Sequence, residues 1–144
     1  MARAIGINHV ALEVGDLEEA VPFYRSVFGL PMRGRAPGMA FLDMGDQFLA
    51  LSVDAGGPAD GARHFGLVVD DREAVREALV DTAAEILSGR GLDFRDPWGN
   101  HVQVVEYAHV QFTKAPQVLE GMGITGLAKT EAAREELTRK GMGL

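Results

Sequence analysis

The 144-residue sequence contains no cysteine, which excludes disulfide frameworks, thiolate zinc sites and cysteine nucleophiles. It also lacks any apolar run near the roughly 20 residues that a membrane-spanning helix needs. The segment after Met1 shows no apolar core of the kind that signal peptides carry. We therefore expect a cytoplasmic protein that does not interact with membranes.

Basic residues are fewer than acidic ones. Fourteen lysines and arginines face 21 aspartates and glutamates, which gives a formal net charge of −7. Because nucleic-acid backbones and anionic bilayers attract basic proteins, neither is expected as a partner. The hydrophobic share of 47% is enough for a compact core, and this length suits one domain or two small subdomains sharing a core.

The sequence repeats itself at an offset of 55 residues, which places His9 over His64, Leu12 over Leu67 and Asp16 over Asp71. Each copy begins with a strand of alternating polarity, at 6–14 and 63–69, and continues into a helix. Asp16 with Glu19, and Asp70 with Glu73, form the pattern of a capping box at the start of each helix. Three strand patterns then follow in each copy: 31–36, 39–43 and 47–53, then 85–88, 91–95 and 101–107.

These elements predict an α+β fold made of tandem βαβββ modules, which form a curved mixed-sheet cup with the helices on its outer face. Module 1 spans about 5–54 and module 2 about 60–107, together forming a single domain over 1–107. Residues 108–144 are expected to form a helical extension, with one short helix opening at Pro116 and another capped by Thr130.

Side chains alternate between the two faces of a strand, so the position of a residue in its strand predicts which face of the sheet it lies on. One face is uniformly apolar and would be covered by the helices. The other face is polar and small-chained, which leaves volume for a small molecule if the sheet curves. It carries His9, Ala11, Glu13, Phe48, Ala50, Ser52, His64, Gly66, His101 and Gln103.

His9 and His64 occupy equivalent positions in the two copies, and we expect them to come together at the functional site. Imidazole is the commonest metal ligand at neutral pH and a frequent general acid or base. His101 is a candidate proton carrier or, alternatively, a solvated strand-end residue. Arg35 and Arg90 are also equivalent in the repeat, either as rim residues that attract an anionic substrate or as ordinary surface arginines.

The residues that carry the repeat also resemble a known family, the vicinal oxygen chelate superfamily. This superfamily includes glyoxalase I, extradiol dioxygenases, fosfomycin resistance enzymes and bleomycin resistance proteins. The resemblance covers about residues 5–107. It rests on the segments INHVAL at 7–12, FYRSVFGL at 23–30, HFGLVV at 64–69 and DPWGNHVQ at 96–103.

The resemblance implies a divalent metal, such as Fe, Mn, Ni or Zn, with no organic cofactor. Matched residue by residue, His9 and His64 fall on the ligands of the first strand of each copy. Gln103 stands where the usual glutamate ligand would be, and Ala50 where a further ligand would be in four-ligand members. Since Ala50 also replaces the glutamate that resembles the base of glyoxalase I, this pattern argues against glyoxalase I activity itself.

Three functions remain open as hypotheses. The first is a metal-dependent lyase, isomerase or dioxygenase that acts on a small oxygenated substrate, in a protein that forms a homodimer. The second is a metal-free protein that sequesters an antibiotic or aromatic compound in the same cup. The third makes residues 108–144 an assembly surface. The reaction, and whether the two modules pair within one chain or between chains, are not readable from the sequence.

Overall fold

The computed structural model describes residues 7–54 and 56–143. The chain divides into two compact units, with the boundary between Gly57 and Pro58. Each unit contains one βαβββ module, as the repeat predicts. The predicted start of the first strand at residue 6 lies outside the described residues. The first unit contains β1 (His9–Val14), α1 (Leu17–Phe28), β2 (Met32–Ala36), β3 (Met39–Asp43) and β4 (Phe48–Val53).

The second unit repeats this order and adds helices at its carboxyl end. Its elements are β5 (Phe65–Val69), α2 (Arg72–Leu79), β6 (Glu85–Leu87), β7 (Leu92–Arg95), β8 (His101–Glu106), a single 3-10 turn (Tyr107–His109), α3 (Pro116–Gly121) and α4 (Glu131–Arg139). In the part of the chain that the structure describes, no helix combines the length and apolar character needed to cross a bilayer.

The two four-stranded sheets have the same topology. In the first the order is β1-β4-β3-β2, and in the second it is β5-β8-β7-β6. The pairs β1–β4 and β5–β8 are parallel, whereas all other neighbours are antiparallel. Each sheet is therefore mixed and open, and the α+β prediction is confirmed.

Helix α1 forms where the sequence places a cap at each end. The Asp16 carboxylate accepts a hydrogen bond from the Glu18 backbone N–H at 2.8 Å. At the other end Gly29 adopts a φ of 66°, a left-handed conformation that favours glycine. Between them the apolar stripe, including Ala20 and Tyr24, is buried. This stripe packs α1 against β3 and β4, on one face of the first sheet.

Helix α2 begins one residue later than the predicted capping box implies. The cap is Asp71, not Asp70, because the Asp71 carboxylate accepts the hydrogen bond from the Ala74 N–H at 3.0 Å. Glu73 then lies in the first turn, where the helix dipole favours a negative charge. Val75 and Leu79 are buried, and α2 lies against β8.

Burial alternates along β1, β3 and β7 as the sequence predicts. In β1, Leu12 and Val14 are buried whereas His9, Ala11 and Glu13 are exposed. The helix-covered face of each sheet thus contributes the core. On this face the central strands contribute the core residues Ala40, Leu42, Leu49, Leu51, Leu92, Phe94, Val102 and Val104. The opposite surface of each sheet, which carries His9, Ala11 and Glu13 in the first module, is its open face.

The segment that precedes β5 is bound to the turn between β7 and β8. The Asp60 N–H donates to the Gly99 carbonyl at 2.8 Å, and Arg95 Nε donates to the Asp60 carbonyl at 2.7 Å. Gly99 has a φ of 90°, and a Cβ built there would lie 2.8 Å from Ala59 Cα. Only glycine therefore permits this close approach.

Helix α4 packs against the 3-10 turn that follows β8. Helices α3 and α4 have the starts that the sequence predicts, at Pro116 and after Thr130. In α4, Ala133 and Leu137 are buried. Lys129, just before this helix, is 9% exposed. Its Nζ donates to the carbonyls of Tyr107 and Val110 at 2.7 Å each, and lies 3.6 Å from the centroid of the Tyr107 ring.

Replacing Lys129 by methionine should therefore lower the free energy of unfolding by about 1–3 kcal/mol, because two carbonyls would lose their donor. This corresponds to a decrease in Tm of about 3–10 °C, measured by calorimetry. Lys140→Met is the matched control, since Lys140 is exposed and its side chain bonds only to the Gln111 side chain among the described residues. An equal loss in both variants would contradict the role assigned to Lys129.

This interaction should also depend on pH. Burial lowers the pKa of Lys129 below its ordinary value of 10.5. Between the lowered pKa and 10.5 the unfolded state therefore binds more protons than the folded state. The contribution of Lys129 to stability consequently rises with pH through that interval. The difference in unfolding free energy between the wild type and Lys129→Met should widen as the pH approaches 10.5.

Candidate functional site

His9 is the first residue of β1 and lies exposed on the open face of the first sheet. Its Nδ1 is 2.9 Å from Asn8 Oδ1, and because this oxygen can only accept, Nδ1 carries the proton. The imidazole stacks on the Phe48 ring at 4.7 Å between centroids, with 11° between the planes. The direct pairing of His9 with Phe48 in the β1–β4 register explains this contact. Nε2 is left as the nitrogen with an available lone pair.

The rest of the predicted cup in this module lies on the same two strands. Ala11 pairs with Ala50, and Glu13 pairs with Ser52. Ala50 is only 2% exposed, because its side chain is short and Phe41 pairs with it from β3. The position where four-ligand family members would carry a further ligand thus holds a buried methyl group that has no donor atom.

The arginines of β2 lie on opposite faces. Arg35 pairs with Ala40, a core position, and its Nη1 is 3.1 Å from Glu18 Oε1 at the start of α1. The predicted rim residue therefore lies on the helix side of the sheet. Arg33 lies on the open face instead, with its guanidinium carbon 4.5 Å from the centroid of the Phe48 ring.

The cause of this arrangement is an irregularity in the pairing of β2 with β3. The register shifts between Met32 and Gly34, so Arg33 is an extra residue and the alternation of side chains is reversed after it, which turns Arg35 to the helix side. Alternation without this shift would place Arg35 on the open face, whereas the structure places it on the helix side beside Glu18. A glycine inside a strand often marks a bulge, so Gly34 was the available signal.

In the second module His64 immediately precedes β5 and is exposed. Its Nδ1 is 2.8 Å from the Ala62 carbonyl oxygen, which again can only accept. Nδ1 therefore carries the proton and Nε2 keeps its lone pair, as in His9. The ring of His64 lies 5.1 Å from that of His101, with 39° between the planes.

His101 is buried and held at both ring nitrogens. Nδ1 is 2.8 Å from the Gly61 carbonyl, and Nε2 is 2.7 Å from Asp93 Oδ2. Both nitrogens face oxygen acceptors, so neither offers a lone pair to a metal or a substrate. This geometry favours a role in positioning the neighbouring His64 ring, and the role of proton carrier stays a prediction.

Asp93 is a site residue that sequence reasoning missed. It pairs with Gln103 across β7 and β8, and Gln103 in turn pairs with Gly66 of β5. His101, Gln103 and Asp93 therefore share the open face of the second sheet. The tight turn after Arg95 sets this register, so pairing across the turn could have placed Asp93 beside the other two. Gln103 is half-buried, whereas Arg90 is exposed in the loop before β7.

The donor set suits a metal only in part. Within residues 7–54 and 56–143, no group of three or more histidines, aspartates or glutamates is placed to hold a metal ion. Two imidazoles with protonated Nδ1 atoms match the arrangement common in metal-binding histidines, whose other nitrogen donates to an oxygen. Gln103 offers a neutral amide oxygen, which is a weaker donor to a divalent cation than a carboxylate.

Comparison with known proteins supports the family resemblance. The model of the glyoxalase/bleomycin resistance protein/dioxygenase superfamily matches residues 6–104. The metallothiol transferase FosB of Lysinibacillus sphaericus is 31% identical over 96 residues, which cover 62% of this chain and 68% of that protein. A second FosB, from Staphylococcus haemolyticus, is 27% identical over 97 residues, covering 63% and 70% of the two chains.

Solved structures of similar proteins share the fold. Lactoylglutathione lyase of Agrobacterium tumefaciens aligns with a TM-score of 0.58 at 29% identity, covering 73% of this chain and 96% of that one. The fosfomycin resistance protein FosX of Listeria monocytogenes, in complex with Mn(II) and a dihydroxypropylphosphonic acid, aligns with a TM-score of 0.60 at 16% identity. This alignment covers 69% and 89% of the two chains and shows the shared fold. The chain belongs to the glyoxalase/bleomycin resistance protein/dioxygenase superfamily.

Proposed function

We propose that this protein is a divalent-metal-dependent enzyme acting on a small oxygenated molecule, with His9, His64 and Gln103 as the metal ligands. The observation that carries the proposal is the common state of the two strand histidines. Each has Nδ1 committed to an oxygen acceptor, at 2.9 and 2.8 Å, and each leaves Nε2 available on an exposed ring. A residue retained only for packing would have no need of this orientation in both copies of the repeat.

The metal would polarise substrate oxygens and stabilise negative charge that develops on them. The chain's own residues would orient the two imidazoles. Asn8 and Phe48 fix the ring of His9, while Ala62 and His101 fix that of His64. Asp93, bonded to His101, holds this support in place.

Ala50 bears on the type of reaction. Because its methyl group cannot accept a proton, proton abstraction by a side chain at that position is excluded. Attack by an external nucleophile on the polarised substrate requires no such base. We therefore propose a group transfer, in agreement with the name metallothiol transferase that related proteins bear. Fosfomycin with a low-molecular-weight thiol is the first substrate pair to assay, since FosX relatives are fosfomycin resistance proteins.

The metal itself is tested on protein purified without chelators. We expect close to one equivalent of bound divalent metal per site, and a rise in Tm of about 5–10 °C on adding Mn²⁺, Ni²⁺, Fe²⁺ or Zn²⁺ at about a hundred times Kd. Less than about a tenth of an equivalent, together with an unchanged Tm for all four ions, would contradict a metal-dependent function.

One observation favours the second candidate function, a metal-free binding protein. Phe41 and Phe48 make an edge-to-face contact at 5.9 Å on the open face, and His9 stacks on Phe48. Such an aromatic surface suits an aromatic compound. Tight binding of an aromatic antibiotic by protein that binds none of the four metals would support sequestration instead of catalysis.

We further propose that the protein acts as a homodimer. The support is that β1 and β5 are each the end strand of an open sheet, with a free edge in the described sheet order. Whether one metal takes its histidines from one chain or from two can be tested by mixing His9→Ala with His64→Ala protein. Restored metal binding in the mixture would indicate ligands from two chains.

A further inference from the structure

We propose that Arg33 binds an anionic group, so that the ligand of the open face is a small molecule with an oxyanion such as a phosphonate or carboxylate. This inference rests on the proposed function only because both use the open face of the first module. It deepens that function by naming the residue that recognises the anionic group of the substrate.

The first argument is the placement of Arg33. Arg33 lies next to the register shift of β2 and contacts Phe48 on the open face, and Phe48 lies between Arg33 and His9 in the order of the strands. Its guanidinium carbon is 4.5 Å from the centroid of the Phe48 ring, and His9 stacks on the same ring at 4.7 Å. A guanidinium that lies over an aromatic ring is positioned by that contact, while its N–H groups stay accessible to an anion.

The second argument is that Arg33 is the least neutralised of the arginines that form ion pairs. The ion pairs of Arg35, Arg63, Arg76 and Arg95 have N–O distances of 3.1, 3.0, 3.2 and 3.3 Å. The corresponding distance from Arg33 to Asp43 is 4.0 Å, beyond hydrogen-bonding range. Among the described residues, Arg33 forms no hydrogen bond, so its donors are available for a ligand.

The third argument concerns the weakness of the ion pair that a ligand would have to displace. The Arg33 side chain is 48% exposed and that of Asp43 is 38% exposed, so water screens their attraction. An incoming oxyanion that accepts two parallel N–H bonds would form the stronger contact, since bidentate charge-assisted bonds exceed a distant exposed pair. Phe41 and Phe48 would contact the apolar part of the same ligand.

The test uses phenylphosphonate as the probe, titrated into EDTA-treated full-length protein and followed by the NMR shifts of the arginine Nε–H groups. We expect saturable binding with a Kd on the order of 1 mM and shifts at Arg33. Arg33→Gln should weaken binding at least about tenfold. Asp43→Asn should strengthen it about threefold, because a competing carboxylate is removed.

Arg35→Gln is the matched control, because Arg35 lies two residues away on the same strand but on the helix side. It should change the Kd less than twofold. Equal losses in Arg33→Gln and Arg35→Gln, or no saturable binding by the wild type, would overturn the inference. Because metal is absent from this titration, a failure here leaves the metal proposal standing. Conversely, phenylphosphonate binding by a protein that binds no metal would support this inference and contradict the metal proposal.

Discussion

Replacing either His9 or His64 by alanine should lower the affinity for divalent metal by at least about a hundredfold. Loss of a group that only supports a ligand commonly costs 10–100-fold in affinity, so loss of a ligand should cost at least as much. The remaining donors would be one imidazole and one amide, which cannot hold a dication against water. Isothermal titration with Mn²⁺ and Zn²⁺ on apo-protein measures the change directly.

The chain offers a control of the same kind in His109. Its ring is 60% exposed and its nearest acidic contact, Glu106, is 3.9 Å away. His109→Ala should therefore leave the affinity for metal unchanged. All three variants should keep the wild-type fold, which circular dichroism monitors. Metal binding that survives in both His9→Ala and His64→Ala would show that these histidines do not bind the metal.

Replacing Gln103 by glutamate should raise the affinity for divalent metal at least about tenfold. The change keeps the length of the side chain but gives the neutral donor set one full negative charge, and ligand charge is a principal determinant of affinity for hard cations. Tenfold corresponds to about 1.4 kcal/mol, a small part of the attraction between a carboxylate and a dication in contact. The family resemblance implies a glutamate ligand at this position, and the substitution supplies one.

In the apo-protein we expect the same substitution to be destabilising. Asp93 pairs directly with residue 103 across β7 and β8. Like charges at such positions destabilise a sheet. Without metal, the Gln103→Glu variant should therefore have a lower Tm than the wild type. On addition of metal, its Tm should rise by more than that of the wild type. Gln117→Glu, on exposed α3, controls for added charge. An affinity equal to that of the wild type would exclude residue 103 as a ligand.

The fold could be predicted from the sequence because several independent signals agreed. The 55-residue repeat fixed the order of elements, and alternation fixed which face of each strand is buried. Asp16 and Gly29 marked the ends of α1. The start of α2 was shifted by one residue because Asp70 and Asp71 are both competent caps, and only backbone geometry chooses between them.

The candidate site was harder to predict because side-chain partners depend on register. Alternation alone could not reveal the shift that turns Arg35 to the helix side beside Glu18 and leaves Arg33 on the open face. Nor could it show that both nitrogens of His101 are occupied, since Gly61 lies 40 positions away in sequence. Contacts of this range depend on how the chain folds back, and local patterns carry no information about them.

The bonds between the segment before β5 and the turn after β7 have a consequence for dividing the protein into fragments. Asp60 and Gly61 supply partners to Arg95, Gly99 and His101, so these residues belong to the second unit although they precede its first strand. A break placed after Gly61 would strip His101 of an acceptor and Gly99 of its packing partner. A break at the boundary between Gly57 and Pro58 keeps both. Complementation between separately expressed halves should therefore begin from that boundary, with residues 58–63 kept on the second half.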